Sequence, residues 1–511
     1  MTQDARILIV GAGPVGLSLA CLLAVSGTPF RIVDGKAGTV TDSRALGVHA
    51  RTLEIMQSLN LAADFIRSGR VTRFMTFHDR NQPLFSLDFN VLRKDTAYPF
   101  YLIVPQSETE DLLYRKLRQL GGEVEWNTPL RSLEEGADAV TVHLEGGSAT
   151  YPYVVGCDGA ASLIRKSLGI SFSGITYDAW FVLSEVRIAE DRLATDATHV
   201  IMADDSVVAA IPLPNGAYRL VGPDSMASTD LESGASIQFD TFADFLKRNG
   251  LLPGARLYDP SRVVSYRMQK RVADSFMTRR VFLAGDAAHI HSPAGGQGMN
   301  MGIQDAANLA WKLSLARHAP NEALLTSYGI ERRAIAEKVA NGTDKALRIV
   351  SSKNSALRFA LRSVAPILCK VWQPRKLIRA MTQLAIAYRP EAEPGTAGTR
   401  LPWIRLAKGG DLFDLLTPGH LTLFSADMAA SPKTSLPLRQ VRLIDNRFYR
   451  PGEGTAQTEF QPVQREELAR LGPFARLLVR PDGYVAAIDR SEEESGVATL
   501  LNRMEQGGWP T

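Results

Sequence analysis

The chain has 511 residues, enough for two to four domains at ~100–200 residues each. Its 58 basic and 54 acidic residues nearly cancel, so the composition does not favour a nucleic-acid partner. The three cysteines, at positions 21, 157 and 369, lie far apart and form no Cys-x-x-Cys pair. This spacing predicts neither a disulfide framework nor a metal site, and it fits a reducing, cytoplasmic location.

An uncharged run covers residues 7–30, a length that could mimic a signal peptide or a membrane span. Three glycines and a proline at positions 11–16 interrupt it and would disrupt a continuous apolar helix. The same residues make sense if the run is a strand, a turn and a helix. We therefore expect neither export nor a membrane span.

A glycine-rich turn at residues 11–16 follows the first apolar segment, which predicts a buried strand. The turn matches Gly-x-Gly-x-x-Gly, a pattern typical of dinucleotide binding. Gly11 permits the tight turn, Gly13 lets a pyrophosphate approach the backbone, and Gly16 lets the next helix pack against the strand.

The helix predicted after this turn starts at Pro14 and Val15 and runs to about Ser26. Proline suits a first helical turn, and the free N–H groups and positive dipole end there favour phosphates. The following strand ends at Asp34, where a carboxylate can accept a hydrogen bond from a ribose hydroxyl. This unit alone does not distinguish FAD from NAD.

Two later acids also follow predicted strands. Asp158 precedes Gly159 and a short helix, so it is either a cofactor contact or an ordinary helix cap. Gly285 and Asp286 follow a buried strand, at the carboxyl edge where α/β sheets bind ligands. A carboxylate there can accept from a sugar-alcohol hydroxyl, which favours FAD.

A second glycine-rich loop, residues 295–300, precedes another predicted helix. Gly296 and Gly298 allow close backbone approach, and the helix start presents N–H groups and positive dipole. A reduced flavin is anionic around N1 and its C2 carbonyl, so this helix end suits it. His289 and His291 lie nearby, but with no third ligand close in sequence we expect no metal site.

Together these residues resemble the class A flavoprotein monooxygenases, the group that contains phenol and para-hydroxybenzoate hydroxylases. The resemblance rests on the turn at 11–16, the Cys-Asp-Gly segment at 157–159 and the Gly-Asp-Ala-Ala-His segment at 285–289, in the family's order. It implies an FAD-dependent enzyme that uses NADPH or NADH and O2. Through a flavin C4a-hydroperoxide, such an enzyme inserts one oxygen atom into an aromatic substrate, phenolic or polyketide-like.

The resemblance also implies roles for particular residues. Asp34 would hold the adenosine ribose, Arg44 and Gln106 the diphosphate–ribityl part, and Asp286 the ribityl or diphosphate side. Gln106 also precedes Ser-x-x-Glu at 107–110, which predicts a capping box and leaves a plain loop role open.

At the flavin ring, the resemblance places Pro293 near the reactive face and residues 298–300 at the pyrimidine edge. No catalytic residue is assigned, because the aspartate that phenol hydroxylases carry before Gly47 is here Leu46. This departure argues against hydroxylation of simple phenols, and a large polyketide-like or multi-ring substrate is one alternative. The expected cofactor-binding residues are Gly11, Gly13, Pro14, Val15, Gly16, Asp34, Arg44, Gln106, Asp158, Gly285, Asp286, Pro293, Gly296, Gly298, Met299 and Asn300.

We expect an α/β fold: a Rossmann-like FAD-binding domain, an inserted mixed or antiparallel β-sheet substrate domain, and a C-terminal α/β domain. The last resembles the thioredoxin-like tail of larger class A hydroxylases, but it has no cysteine for thiol chemistry. The expected boundaries are 1–72, 101–169 and 276–345 for the FAD-binding domain, 73–100 and 170–275 for the substrate domain, 346–398 for a helical segment and linker, and 399–511 for the thioredoxin-like domain.

Other functions fit parts of the pattern. The same scaffold carries out Baeyer–Villiger oxygenation and epoxidation of multi-ring substrates, and the family's nicotinamide is bound without a domain of its own. A non-redox binding protein of the prenyl-carrier type shares the turn at 11–16, but it does not need the Gly-Gln-Gly edge at 296–298. A homodimer is the oligomeric state we expect.

Overall fold

The computed structural model shows a mixed α/β chain. It describes residues 2–40, 45–80, 82–189, 193–203, 206–224, 236–237, 239–252, 254–261, 263–291, 295–318, 320–350, 352, 354–389, 392–393, 395–426, 432–450 and 458–509. Across these ranges, no helix combines the length and the apolar character that a membrane crossing requires.

A five-stranded parallel sheet forms the centre of the N-terminal part. Its strands are short and mostly buried, as expected for a parallel sheet covered on both faces. In spatial order they are Val281–Leu283, Val154–Gly156, Ile7–Val10, Phe30–Val33 and Val124–Glu125.

Two small sheets flank it. One consists of Thr2–Gln3, Gly147–Tyr151, Val140–Leu144 and Leu130–Glu135. The other consists of Gly47–Val48, Tyr101–Ile103 and Arg70–Thr72.

A larger sheet of ten strands lies beside the parallel sheet. It draws on two separate parts of the chain, as the alternating sequence patterns predicted. Its main path is Ser236–Ile237, Val263–Ala273, Phe172–Ile188, Tyr218–Asp224, Val207–Pro212, Ala197–Met202, Phe74–Asp79 and Gln82–Asp88, with Leu257–Tyr258 and His289–Ile290 paired alongside.

The two faces of this ten-stranded sheet meet different partners. One face packs with the helix Phe239–Arg248 in a cluster of its own. The opposite face contributes Met75, Phe77, Phe85 and Ile211 to the main core. That second face therefore looks toward the parallel sheet, and it can form the wall of a pocket.

The C-terminal part contains a five-stranded mixed sheet in the order Thr458–Val463, Leu438–Asp445, Leu421–Ser425, Arg476–Val479 and Val485–Asp489. A turn at residues 481–483 joins the last two of these strands.

The helices follow the apolar periodicity of the sequence. Pro14–Val25 is buried on nearly all sides because it packs against two other helices, and this explains its uncharged composition. The remaining α-helices are Ala50–Ser58, Ala62–Ser68, Gln106–Gln119, Leu163–Ser167, Phe239–Arg248, Gln297–His318, Glu322–Val350, Ser355–Phe359, Ala365–Val371, Arg375–Met381, Arg465–Ala469 and Gly496–Glu505, with 3₁₀ turns at Phe89–Leu92, Gly285–Ala287 and Leu412–Leu415 and a π turn at Ala360–Val364.

A buried ion cluster joins the C-terminal part to the helix Ala50–Ser58. The Glu54 carboxylate accepts hydrogen bonds from Arg51 Nη1 at 2.9 Å, Arg400 Nε at 2.8 Å and Thr96 Oγ1 at 2.8 Å. Glu54 and both arginines are almost completely buried. Burial alone would raise the pKa of Glu54, but Arg400 and Arg51 hold this pKa below its usual value.

A second buried cluster lies at the C-terminal hairpin. Glu331 accepts from Lys312 Nζ at 2.8 Å and from Arg480 Nη1 at 2.7 Å, and Arg480 Nη2 donates to Asp482 at 2.6 Å. Burial lowers the pKa of Lys312 to about 8, although Glu331 opposes the shift. The helices Gln297–His318 and Glu322–Val350 are thus tied to the hairpin through charged groups.

Candidate cofactor and active site

The predicted cofactor residues gather at one edge of the parallel sheet. Gly11, Asp34, Asp158 and Gly285 each follow one of four adjacent strands, so they come together at the carboxyl ends of those strands. Backbone bonds fix the alignment: the Gly11 N–H donates to the Val33 carbonyl at 2.8 Å. The structure thus brings these segments together at one edge of the sheet, and a shared cofactor site there stays a prediction.

The glycines of the first turn separate into two kinds. A Cβ on Gly11, whose φ is 107°, would collide with the Cys157 carbonyl, and one on Gly16 would collide with the Gly11 carbonyl. A Cβ on Gly13 would have no protein atom within 4 Å. The fold therefore requires Gly11 and Gly16, whereas Gly13 borders open space at the start of the helix, where a diphosphate fits.

The first turn also contacts the second strand-and-acid segment. Val15 packs so closely that a Cβ on Gly285 or Gly302 would meet its Cγ2. Gly285 has a φ of 63°, and its N–H donates to Asp305 Oδ2 at 3.0 Å. Pro14 is the first residue of the helix, as predicted. Helices Pro14–Val25 and Gln297–His318 are thus held side by side.

Asp34 is buried against the first turn. Its Oδ2 accepts from the Ala12 N–H at 2.7 Å, and its Oδ1 accepts from the Lys36 N–H at 2.8 Å. The carboxylate thus shapes the turn that a diphosphate would approach. Its contact with a ribose stays a prediction.

Asp158 acts as a helix cap. Its Oδ2 accepts from the N–H groups of Leu163 at 2.8 Å and Ile164 at 3.2 Å. Its Oδ1 is buried without a hydrogen-bond partner in the described part of the chain, and burial raises the pKa of the carboxyl. An unsatisfied buried oxygen is costly, so this atom is available to a bound group that can donate a hydrogen bond.

Three further predicted residues can be described only in part. Asp286 is exposed, while its neighbours Gly285 and Ala287 are buried. Arg44 and Pro293 lie outside the described residues.

Gln106 does not lie in a loop. It is the first residue of the helix Gln106–Gln119, with Pro105 at the cap position. The predicted Ser-x-x-Glu capping box is therefore wrong: Glu110 instead accepts from the Val40 N–H at 3.0 Å and from Gln106 Nε2 at 3.0 Å. Gln106 Oε1 accepts from the Ala45 N–H at 3.3 Å, which places it beside the segment that follows Arg44.

Asn300 anchors the second glycine-rich loop. Its Oδ1 accepts from the His49 N–H at 2.9 Å and from Thr52 Oγ1 at 2.7 Å, while its Nδ2 donates to the carbonyls of Gly47 at 2.8 Å and Gly296 at 2.7 Å. The amide side chain is thus fully used within the protein and positions the loop. Contact of the loop with the pyrimidine edge stays a prediction.

The start of the helix Gln297–His318 shows whether this loop fits a flavin. A Cβ on Gly298 would have no protein atom within 4 Å, so the first turn of the helix Gln297–His318 faces open space. Met299 beside it is partly buried against the main core. An open, glycine-lined helix start with free N–H groups fits an anionic ring edge.

A network of buried amides closes the loop from behind. Gln383, whose φ is 63°, donates from Nε2 to Gln297 Oε1 at 2.7 Å, and Gln297 Nε2 donates to the Met381 carbonyl at 3.0 Å. Gln304 also contacts Gln383. The sequence analysis missed this network because its members lie some 80 residues apart without a shared motif.

His49 and Tyr101 lie against the same loop. His49 Nε2 lies 2.9 Å from the Gly295 carbonyl, and the two rings stack at 4.9 Å. Burial lowers the pKa of His49 to about 4. The ring is therefore neutral at pH 7, and its Nε2 also lies 3.2 Å from Gln297 Nε2. No sequence pattern pointed to Tyr101.

The Tyr101 hydroxyl leaves no room for a side chain at Gly296, and this can be tested. A Cβ on Gly296 would collide with that hydroxyl, while the Tyr101 Cζ is 3.7 Å away. We expect Gly296→Ala to lower the free energy of unfolding by about 2–4 kcal/mol, from overpacking and from strain at φ 62°. Adding Tyr101→Phe should restore the overpacking share, as measured by chemical denaturation.

Gly295→Ala provides the matched control. Gly295 has a similar φ of 77°, but a Cβ there would meet its nearest atom at 3.4 Å, an ordinary contact. It should cost only the backbone strain, about 1 kcal/mol, and Tyr101→Phe should not change that cost. Equal behaviour of Gly295→Ala and Gly296→Ala would contradict the assignment.

Of the two histidines that follow Asp286, His289 is hydrogen-bonded within the protein. His289 Nε2 lies 2.6 Å from Asp305 Oδ2, and Arg332 Nε donates to Asp305 Oδ1 at 2.6 Å. Burial alone would raise the pKa of Asp305. Its interactions with His289 and Arg332 nevertheless hold this pKa below the usual value. The described residues contain no cluster of His, Cys, Asp and Glu that could hold a metal ion.

Comparisons with known proteins agree with this site. Residues 4–343 match the family described as "FAD binding domain", and the chain belongs to that family. It is 33% identical to 6-methylpretetramide 4-monooxygenase from Streptomyces rimosus, covering 98% of this chain and 93% of that protein. It is 30% identical to pentachlorophenol 4-monooxygenase from Sphingobium chlorophenolicum, covering 96% and 95%.

A solved structure shows the same architecture. The OxyS anhydrotetracycline hydroxylase from Streptomyces rimosus superposes with a TM-score of 0.75 at 29% identity, over 99% of each chain. With the family match and the monooxygenase relatives, this identifies the chain as an FAD-dependent monooxygenase.

Proposed function

We propose that this FAD-dependent monooxygenase inserts one atom of O2 into an aromatic, multi-ring substrate of phenolic or polyketide-like character, with NADPH or NADH as reductant. The observation that carries the proposal is the wide apolar wall beside the cofactor edge. Relatives named for 6-methylpretetramide, anhydrotetracycline and pentachlorophenol support an aromatic substrate. The tetracycline-type names support several fused rings.

The wall is a row of side chains across five strands of the ten-stranded sheet. Strand register pairs Phe77 with Val200, Val200 with Ala209, Ala209 with Val221, and Val221 with Leu183. Directly paired residues point to the same face, and Phe77 places that face toward the main core. A flat apolar row of this width suits a planar ring system and keeps water away from it.

The next row on the same face provides polarity. Glu185 and Arg219 are paired in register, and Arg219 Nη2 donates to Glu185 Oε1 at 2.5 Å. Such a pair can receive hydroxyl or carbonyl groups at the border of a ring system. We assign no catalytic base, because His49 is neutral and weakly basic and Leu46 replaces the acid of simple phenol hydroxylases.

The chain's own residues would hold and orient the cofactor. The helix start at Gly13 and Pro14 would bind the diphosphate, and the loop that Asn300 fixes would face the ring. Bound FAD supplies the redox chemistry with O2. The N–H groups and positive dipole of helix Gln297–His318 would stabilise negative charge that develops at the ring edge.

The domain arrangement belongs to this proposal. The proposed boundaries at 72, 100, 169 and 275 are supported by the places where the chain enters and leaves the ten-stranded sheet. The proposed boundary at 345 falls inside the helix Glu322–Val350, and the one at 398 precedes the C-terminal sheet. The C-terminal sheet, with three parallel strands beside an antiparallel pair and the helix Gly496–Glu505, supports a thioredoxin-like unit. Without cysteine its role is structural, and a homodimer is the proposed assembly.

One experiment tests the proposal. The purified protein is given NADH or NADPH under ¹⁸O2, with a panel of simple phenols and fused-ring aromatic polyketides, and products are followed by mass spectrometry. We expect one labelled oxygen atom in a fused-ring product. If simple phenols are hydroxylated and no fused-ring compound is, the proposed multi-ring substrate is contradicted. A ring-expanded ester or an epoxide, identified by NMR, would replace hydroxylation, and a colourless protein that cannot be reconstituted with FAD would overturn the whole proposal.

A further inference from the structure

An exposed apolar ridge follows the helical stretch at residues 355–371. Four of its side chains, at positions 364, 367, 368 and 371, have the i, i+3, i+4, i+7 spacing that a soluble helix normally turns toward a core. Here that face is open: Val371 is 86% exposed and Ile367 is 67% exposed. The ridge consists of Phe359, Val364, Ile367, Leu368, Val371 and Trp372.

The helical stretch and the residues that follow it are hydrogen-bonded to the ten-stranded sheet. Gln373 Nε2 donates to the Ser86 carbonyl at 3.1 Å, and Gln373 Oε1 accepts from the Asp88 N–H at 3.1 Å. Arg362 pairs with Asp79 at 3.0 Å. The apolar ridge is therefore held outward by the edge of the ten-stranded sheet, and turning it inward would break these bonds.

The charged side chains of the segment that carries the ridge are all positive. Residues 345–390 contain ten lysines and arginines and no aspartate or glutamate. Among the residues that the structure describes, three acids from outside 345–390, Asp79, Asp95 and Asp344, pair with four of these cations. The segment therefore keeps a positive excess, and Lys370 and Lys376 are exposed beside the ridge.

We propose that this ridge docks on an anionic lipid surface. Protruding aliphatic and aromatic side chains flanked by cations match an interfacial helix, whose apolar face enters the acyl boundary while Lys and Arg meet the headgroups. Side chains that protrude this far need a soft, penetrable surface rather than a matched groove. A second copy of the chain would place cations against cations.

The inference is independent of the proposed reaction, but it suits an apolar multi-ring substrate, since such molecules partition into membranes. Docking would bring the edge of the substrate sheet next to the bilayer. The enzyme would then meet its substrate where that substrate is concentrated.

Vesicle sedimentation tests the proposal on the full-length holoprotein. We expect binding to vesicles of three parts phosphatidylcholine and one part phosphatidylglycerol, weaker binding to pure phosphatidylcholine, and loss at high salt. Val371→Glu should weaken binding at least about tenfold, because it places a charge at the apolar contact. Phe448→Glu is the matched control: Phe448 is 70% exposed on the C-terminal part, so its replacement should leave binding unchanged.

Trp372 provides a second readout. Its emission should shift to the blue on anionic vesicles, and Trp372→Phe should remove that shift. Val371→Glu and Trp372→Phe should both keep the flavin spectrum and the melting temperature, because the Val371 and Trp372 side chains are exposed. Failure of the wild type to bind, or equal binding by Val371→Glu, would overturn the proposal. A dimer in light scattering that Val371→Glu dissociates, without vesicle binding, would assign the ridge to a second copy.

Discussion

Replacing Gly13 with alanine is expected to weaken FAD binding at least about a hundredfold while the apoprotein keeps its fold. The backbone at Gly13 has φ −78° and ψ −174°, which alanine adopts freely, and no protein atom lies within 4 Å of the added methyl. The methyl would occupy the space through which a diphosphate approaches the helix N–H groups, and each lost charge-assisted hydrogen bond is worth about 1.5–3 kcal/mol. Flavin fluorescence titration of the apoprotein measures the effect.

Gly16→Ala is the counterpart with the opposite cause. Its methyl would collide with the Gly11 carbonyl, so we expect a loss of folding, seen as a melting temperature lower by about 10 °C or more. Gly13→Ala should lower it by no more than about 3 °C, since glycine and alanine differ little at a helix cap on this scale. Normal FAD affinity in folded Gly13→Ala would contradict the diphosphate site.

Glu54→Gln is expected to destabilise the protein by about 3–5 kcal/mol, the cost of leaving buried charges without their partner. The change removes the charge that Arg51 and Arg400 share inside the protein. Chemical denaturation monitored on the C-terminal part and on the flavin should show both parts affected, because Arg400 lies on one side of the contact and Arg51 on the other.

Glu125→Gln is the matched control. Glu125 also accepts two hydrogen bonds from one arginine, Arg31, at 2.8 and 2.6 Å, but 43% of its side chain is exposed. The same substitution should cost no more than about 1 kcal/mol there. Equal losses at the two sites would contradict the role of burial.

The pH dependence of the Glu54 contribution follows from its lowered pKa. A carboxyl whose pKa is lower in the folded state stabilises the protein fully above its unfolded pKa of about 4.3. That stabilisation is lost as the pH falls through the folded-state pKa. The difference between wild type and Glu54→Gln should therefore be constant around pH 7 and shrink in acid.

Local patterns carried much of the site. The need for glycine at positions 11 and 16 could be predicted because a tight turn and a close helix–strand approach are local features, although the Cys157 carbonyl that restricts Gly11 comes from a distant part of the chain. The diphosphate contact of Gly13 stays a prediction. The strand-and-acid segments at Asp158 and Gly285 could be placed because parallel strands end at one edge.

Long-range contacts could not be predicted in this way. Glu54 and Arg400 are 346 residues apart, so no local sequence pattern links them. The Ser-x-x-Glu pattern at 107–110 misled because Glu110 is used by Val40, a tertiary contact that outweighs the local capping preference. Gln383 and Tyr101 became recognisable only when the fold placed them against the second glycine-rich loop.

The buried charges at the C-terminal contact have an evolutionary consequence. Arg51 and Lys312 lie in the N-terminal part, but Arg51 donates to the Asp482 carbonyl of the C-terminal hairpin. Lys312 shares its partner Glu331 with Arg480 of the same hairpin. In a relative without the C-terminal part, these two cations would be exposed or would lose their partners. Both positions should therefore hold neutral or apolar residues in such relatives. The tail and these charges are therefore expected to be gained and lost together along the family tree, as a single inherited unit.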